Sequence, residues 1–325
     1  LNTNSERPNL LSIQWLRGVA AFMVVLYHMG SRVERMGGHE WPSSLNAGVD
    51  IFFVISGFIM WVTARDLTPV EFLRRRIVRI VPLYWVMTTV AVLLSCLSGP
   101  VDGWHILASY CFFPAVHPAL GTLKPVLIAG WTLNYEMYFY LIFAAALLFR
   151  GTARMVVLGV GVVGPMLLNG RTDVLFIEFF SDEIVVEFLA GVGLGIAYDR
   201  RVVWPAPPML VVLGVLLFAV PGEFPRAIAN GIPAVFIVAG FLGSERYMPR
   251  AVLPRLLGDS SYSLYLTHSF VLTFVAKFWS FGVLGFVFLS GLMSLLVGLA
   301  VFTYIEKPLI RVLRNLGGDL AARMS

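Results

Sequence analysis

In the apolar run IQWLRGVAAFMVVLYHMG, residues 13–30, two ionisable side chains stand eleven residues apart, Arg17 and His28. Eleven steps of about 100° return to nearly the same helical face, and at 1.5 Å per residue the two groups lie roughly 16 Å apart along it. An imidazole titrates near neutral pH and can serve as general base or nucleophile. A guanidinium stays charged and grips phosphate or carboxylate through paired hydrogen bonds. Further groups of this kind sit in other apolar runs: Asp50 in AGVDIFFVISGFIM, Arg76 and Arg79 in FLRRRIVRIVPLYW, Glu136 in WTLNYEMYFYLIF, Ser263 and His268 in LGDSSYSLYLTHSF. Charge inside a lipid-soluble segment is costly, so each of them needs a partner or a task.

Every one of these residues has a plain reading beside the chemical one. Arg17 can snorkel to the membrane surface, and His28 can be a neutral ring satisfied by a neighbour. Asp50 is either a carboxylate favoured by a helix N-terminus or a partner that orients His28. Arg76 and Arg79, three apart on one face, suit a polyphosphate, whereas Arg74 and Arg75 read as topology anchors. Glu136 lies well inside its run and would meet His28 or a hydroxyl-bearing substrate. Trp131, Tyr135, Tyr138 and Tyr140 form either an interfacial aromatic belt or the lining of a sugar site. Ser263 and His268 are five apart and off one face, so a Ser–His dyad is not expected; His268 reads as a core or site-lining group. Glu306, in YIEKPLIRVLR, is expected to pair with nearby arginines. Of the acidic group Glu178, Asp182, Glu183 and Glu187, only Glu187 falls inside a span.

The elements that must hold these groups are membrane helices. Of 325 residues, 58% are hydrophobic and only 13% charged, against about 25% charged in soluble domains. The excess of five basic residues points to membrane topology rather than nucleic acid. Runs long enough to cross a bilayer predict ten spans, near 12–31, 47–64, 78–98, 131–149, 154–169, 184–198, 207–221, 227–243, 260–278 and 283–303. The run 104–128 reads as re-entrant or interfacial, and residues 1–325 as a single all-α transmembrane domain. The first run lacks the cleavage site of a signal peptide. Ten spans put both termini on one side. That side then carries 18 of the 24 basic residues, leaving Arg32, Arg35, Lys124, Arg171, Arg226 and Lys277 opposite. The positive-inside rule makes the richer side cytoplasmic. Cys96 and Cys111 fall on the other side, as two thiols or, less favoured, a disulfide. No Cys/His cluster suggests a metal.

Six segments in order resemble the bacterial membrane acyltransferase-3 family: Arg17-x10-His28, GVDIFFVISGF, RRRIVRIVPLYW with Arg76-x-x-Arg79, WTLNYE ending at Glu136, YSLYLTH, and EKP. The short chain is most similar to members that modify exopolysaccharides. The resemblance implies a multi-pass enzyme of the bacterial inner membrane that O-acylates a cell-surface or lipid-linked glycan, with cytoplasmic acyl-CoA, by default acetyl-CoA, as donor. It implies donor binding by Arg17, Arg76 and Arg79, and chemistry at His28 with Asp50 or Glu136 orienting its ring. Trp131, Tyr135 and His268 would line the acceptor site. The competing readings are a proton-coupled transporter or flippase, with His28, Asp50, Glu136 and His268 as a relay, and a non-catalytic partner in glycan export.

Overall fold

The computed structural model describes residues 10–220, 222–278 and 282–323. Arg7, counted above in the charge balance, and residue 221, the expected end of the seventh span, lie outside them. Among the described residues the chain is all-helical apart from one isolated β-bridge between Val116 and Leu123. The helices are α1 Leu11–Arg35, α2 Ala47–Ala64, α3 Pro69–Cys96, α4 Gly103–Tyr110, α5 Trp131–Leu147, α6 Gly151–Leu168 and α7 Leu175–Phe180. They continue with α8 Val185–Asp199, α9 Pro207–Leu217, α10 Ile232–Gly243, α11 Val252–Phe278, α12 Gly282–Val301 and α13 Lys307–Arg323.

Among the described residues five helical stretches are long and apolar enough to cross a bilayer: α1, Ser43–Ala64, α3, α6 and Gly282–Leu316. The apolar stretches Pro207–Leu217 and Ala227–Gly243 are shorter. Helices also occupy the remaining expected spans, but α5 and α8 have only 17 and 15 residues, and α11 carries Arg255, Asp259 and Lys277 within its 27. The molecule wears much of its apolar surface outside. Leu284, Phe288 and Met209 are 87%, 74% and 70% exposed, an arrangement that suits hydrocarbon rather than water.

The third helix begins earlier than its apolar run. Thr68 accepts a hydrogen bond from the Glu71 backbone N–H at 3.2 Å, and Pro69 is the first helical residue. Together they form a Thr-x-x-Glu start with proline at its preferred place. The basic cluster expected in a connecting segment is therefore helical, which places Arg76 and Arg79 on one continuous rod with the apolar run. Within 104–128, α4 has eight residues and the chain then turns through the Val116–Leu123 bridge to a 3-10 turn at Ile128–Gly130.

Close crossings hold the bundle. A Cβ on Gly57 would overlap the Phe188 carbonyl, and one on Gly191 would overlap that of Val54, so α2 and α8 touch backbone to backbone. Small residues at such crossings replace the hydrophobic driving force that lipid removes. Two helical segments widen into π-turns, Ala227–Gly231 and Phe302–Glu306, each followed by a proline at the second residue beyond, Pro233 and Pro308. A proline ring clashes with the carbonyl four residues back and supplies no N–H; the wider turn relieves both faults, and π-turns often mark functional places.

At one end of the bundle, α2, α6 and α8 are tied by polar contacts. Arg65 pairs with Asp199 and Asp66, Trp61 donates to Asp199 at 2.8 Å, and Arg154 donates to the Arg65 carbonyl at 2.9 Å. The same end holds the start of α1, where Glu245 accepts from the backbone N–H groups of Leu11 and Ser12 at 2.8 and 2.9 Å. A carboxylate there satisfies orphan donors and complements the helix dipole. This end is arginine-rich; His28, Asp50 and Trp131 lie toward the other. Cys96 and Cys111 are both free and exposed.

Candidate active site

The side chains singled out above fall into four groups. The first surrounds a cavity of about 200 Å³ among α1, α2, α3, α5 and α11, lined by Arg17, Ser56, Arg76, Arg79, Glu136, Tyr140 and Tyr265. Each arginine is held in its own way. Arg17 donates a 3.3 Å hydrogen bond to Gln14 Oε1. Arg76 reaches Thr63 at 3.3 Å and lies over the rings of Phe72 and Tyr140, 5.5 and 5.8 Å from their centroids. Arg79 pairs at 3.0 Å with Glu306, which is 1% exposed and also accepts 2.5 Å from Ser263. The π-turn at Phe302–Glu306 puts that carboxylate inward, so Glu306 has the ion-pairing role expected of it. Glu136 brings a carboxyl group into the cavity, and its buried Oε2 has no hydrogen-bond partner among the described residues.

This cavity adjoins a larger cleft of about 850 Å³ toward the arginine-rich end. The two share Arg17, Ile59, Arg76 and Arg79, and the cleft adds Arg74, Arg75 and Arg314. Three guanidinium groups thus line both pockets and form a neck where the basic cleft and the smaller chamber meet. Arg75 is partly offset by Glu71, four residues earlier on the same helix.

The second group is a pair of histidines. His28 and His268 have ring centroids 4.9 Å apart. His28 Nδ1 lies 2.9 Å from the Val24 carbonyl and His268 Nδ1 2.6 Å from that of Tyr265. A carbonyl only accepts, so each Nδ1 carries the proton and each Nε2 keeps its lone pair. Tyr265 lines the cavity, and its ring is 5.9 Å from that of His268. The histidines therefore lie one ring beyond the chamber that holds Glu136. Tyr265 is locked by hydrogen bonds to Thr132 at 2.8 Å and the Ala129 carbonyl at 3.0 Å.

The third group corrects an expectation. Asp50 does not orient His28. It is fully buried and accepts two hydrogen bonds from Arg226, at 3.0 and 2.9 Å. Glu187, 2% exposed, belongs to the same cluster through Gly231, and Glu183 accepts from the Ala227 backbone at 3.2 Å. Asp50 thereby clamps the π-turn after Arg226 to the start of α2. Nor does Glu136 reach the ring, since it faces the arginine chamber; the Val24 carbonyl is what holds the His28 imidazole. Sequence reasoning missed Arg226 because the two partners are 176 residues apart and nothing local links them.

The fourth group lines an outward cleft of about 530 Å³ at the end opposite the arginine-rich one. Trp131, Tyr135, Lys124, Glu178, Asp182, Glu183 and Arg226 border it. Lys124 Nζ sits 4.0 Å from the Trp131 ring centroid, and the Tyr135 hydroxyl donates to the Phe179 carbonyl at 2.6 Å. Among the described residues no three His, Cys, Asp or Glu side chains gather as a metal site would require.

An arginine-lined neck, a chamber with a carboxyl group and a nearby imidazole with a bare nitrogen are parts that acyl transfer can use, and comparison with known proteins names that class of enzyme. The model of a family described as an acyltransferase domain matches residues 10–305. The chain belongs to the acyltransferase-3 family. Its relatives in that family include the exopolysaccharide production protein ExoZ of Rhizobium meliloti (strain 1021), 38% identical over 88% of this chain and 95% of that one. Acyltransferase MdmB of Streptomyces mycarofaciens is 26% identical over 94% and 92%. The peptidoglycan O-acetyltransferase OatA of Listeria monocytogenes is 24% identical over 83% of this chain and 50% of its own. No solved structure matches. As a member of an acyltransferase family the protein is an acyltransferase, and the transporter reading leaves its arginine neck without a ligand.

Proposed function

We propose that this acyltransferase moves an acetyl group from acetyl-CoA to a hydroxyl of an exopolysaccharide or its lipid-linked precursor. It would do so in the bacterial inner membrane, with ten spans, both termini cytoplasmic and residues 1–325 acting as one unit. The observation that carries the reading is the joined pair of cavities with Arg17, Arg76 and Arg79 at their neck. A donor with a phosphate-rich head and a long neutral arm fits that shape: the pyrophosphate at the neck, the arm in the chamber. Relatives named for exopolysaccharide production and O-acetylation support the acceptor class and the acyl group. The outward cleft with Trp131 and Tyr135 offers the acceptor an aromatic face and carboxylates that accept from sugar hydroxyls.

In this reading His28 Nε2 takes the proton of the acceptor hydroxyl as its oxygen attacks the thioester carbonyl carbon. The carbon–sulfur bond then breaks, and the departing thiolate recovers that proton from the imidazolium. Arg17 and His28, on one face of α1 at two depths, serve the two ends of one donor. His268 lines the site beside His28.

Saturable binding of radiolabelled acetyl-CoA to the detergent-purified protein tests the donor assignment. Binding is expected to survive His28→Ala and to fall sharply in Arg76→Ala. A folded protein that neither binds acetyl-CoA nor releases free CoA from it would overturn the proposal.

A further inference from the structure

The neck accounts for the pyrophosphate of the donor, but CoA carries a third phosphate, on the 3′ carbon of its ribose, and an adenine. If the neutral arm fills the chamber, that end must remain in the 850 Å³ cleft. One wall of this cleft is α13, a helix from the far end of the chain, which packs against α3 beyond the π-turn at Phe302–Glu306. It presents Leu313, Arg314 and Leu316 to the cleft, opposite Arg74 and Arg75 of α3. Leucines flanking an arginine offer an apolar surface for a base and a guanidinium for a phosphate in one place. In the lining of this cleft, where Asp259 is the one acidic side chain among six arginines, Arg314 is the cation that α13 adds. It is also exposed, as a contact to the outermost part of a ligand would be.

We propose that α13 closes the nucleotide end of the donor site and that Arg314 takes the ribose 3′-phosphate of CoA. The enzyme then distinguishes a CoA thioester from the same acyl group on a pantetheine arm that lacks this phosphate. The inference rests on the acetyl-CoA reading above and adds a recognition element outside the neck.

The test is a cycle that removes the phosphate from the ligand and the guanidinium from the protein. Binding of acetyl-CoA and of 3′-dephospho-acetyl-CoA is measured for the native chain and for Arg314→Ala, with vesicles of anionic and of neutral lipid as a further arm. Dephosphorylation is expected to weaken binding to the native chain about tenfold, the size of one charge-assisted contact. Arg314→Ala is expected to weaken acetyl-CoA about as much and the dephospho donor less than about twofold. Equal effects of the substitution on both donors, or none on either, would overturn the assignment while leaving the donor reading intact. So would an unchanged donor cycle with loss of preference for anionic vesicles, which would make Arg314 a lipid-headgroup contact. A native chain that binds neither donor would take down the acetyl-CoA reading and this one with it.

Discussion

Arg79 serves the fold as well as the neck, and its removal should be felt first as lost stability. Its guanidinium lies 3.0 Å from Oε1 of Glu306, a carboxylate 1% exposed and otherwise held by Ser263 at 2.5 Å. Arg79→Ala leaves Glu306 buried with half its compensation gone. Removing one partner of a buried pair typically costs about 3–5 kcal/mol, because the remaining charge is stranded. Replacing both partners is far gentler, since no uncompensated charge remains. Arg79→Ala should therefore lower the midpoint of thermal unfolding in detergent by several degrees, followed by tryptophan fluorescence. Arg79→Ala/Glu306→Gln should recover most of the loss. Arg76→Ala, whose guanidinium loses a 3.3 Å hydrogen bond, two ring faces and its attraction to Glu136 across the cavity, should cost less than Arg79→Ala, about 1–2 kcal/mol. If Arg79→Ala melts with the native protein, or the double variant melts no higher than the single one, the pair does not carry the load assigned to it. The comparison also decides how binding data are read: donor affinity lost in Arg79→Ala counts as a phosphate contact only if the rescued double variant remains weak.

Other positions make equally direct tests. Gly57→Val would drive a branched side chain into the Phe188 carbonyl and Val192 nitrogen, and should abolish accumulation of folded protein by size-exclusion chromatography, whereas Gly193→Ala, with open space around its Cβ, should leave it unchanged. Asp50→Ala removes two charge-assisted hydrogen bonds but leaves Arg226 beside Glu187 and Asp182 on an outward cleft, and should cost about 1–3 kcal/mol, measured as the shift in thermal unfolding midpoint, with Asp50→Asn costing less than Asp50→Ala. His28→Ala should keep acetyl-CoA binding but slow acetyl transfer by about 10²–10⁴-fold, the usual contribution of a general base; transfer at the native rate would remove His28 from the chemistry. Cys96 and Cys111, both exposed, should react with a membrane-impermeant maleimide added outside spheroplasts, and protection of both until the membrane is opened would reverse the proposed orientation.

The amino-acid sequence is most informative where physics is local. Apolar runs mark the helices because a chain in lipid must satisfy its backbone within each segment, and the run at 47–64 coincides with α2. Thr68, Pro69 and Glu71 announce the start of α3 to within a residue, although the apolar run alone put it nine residues later. Arg76 and Arg79 share a face by their spacing, and Arg17 joins them at the neck because α1 keeps its helical period through the charge. Pairings between distant segments are another matter, since no local rule reports which helix will lie beside which. Asp50 meets Arg226 rather than His28, Glu245 satisfies the first amides of α1 from across the chain, and His268 comes to rest on His28 while Ser263, five residues earlier, turns to Glu306. The same holds for α13: its composition reads as a basic tail beyond the last span, and only its packing against α3 makes Arg314 part of a cleft. Helix position follows from the period and polarity of neighbouring residues, whereas site membership follows from crossings such as Gly57 with Gly191, where two backbones are allowed to touch.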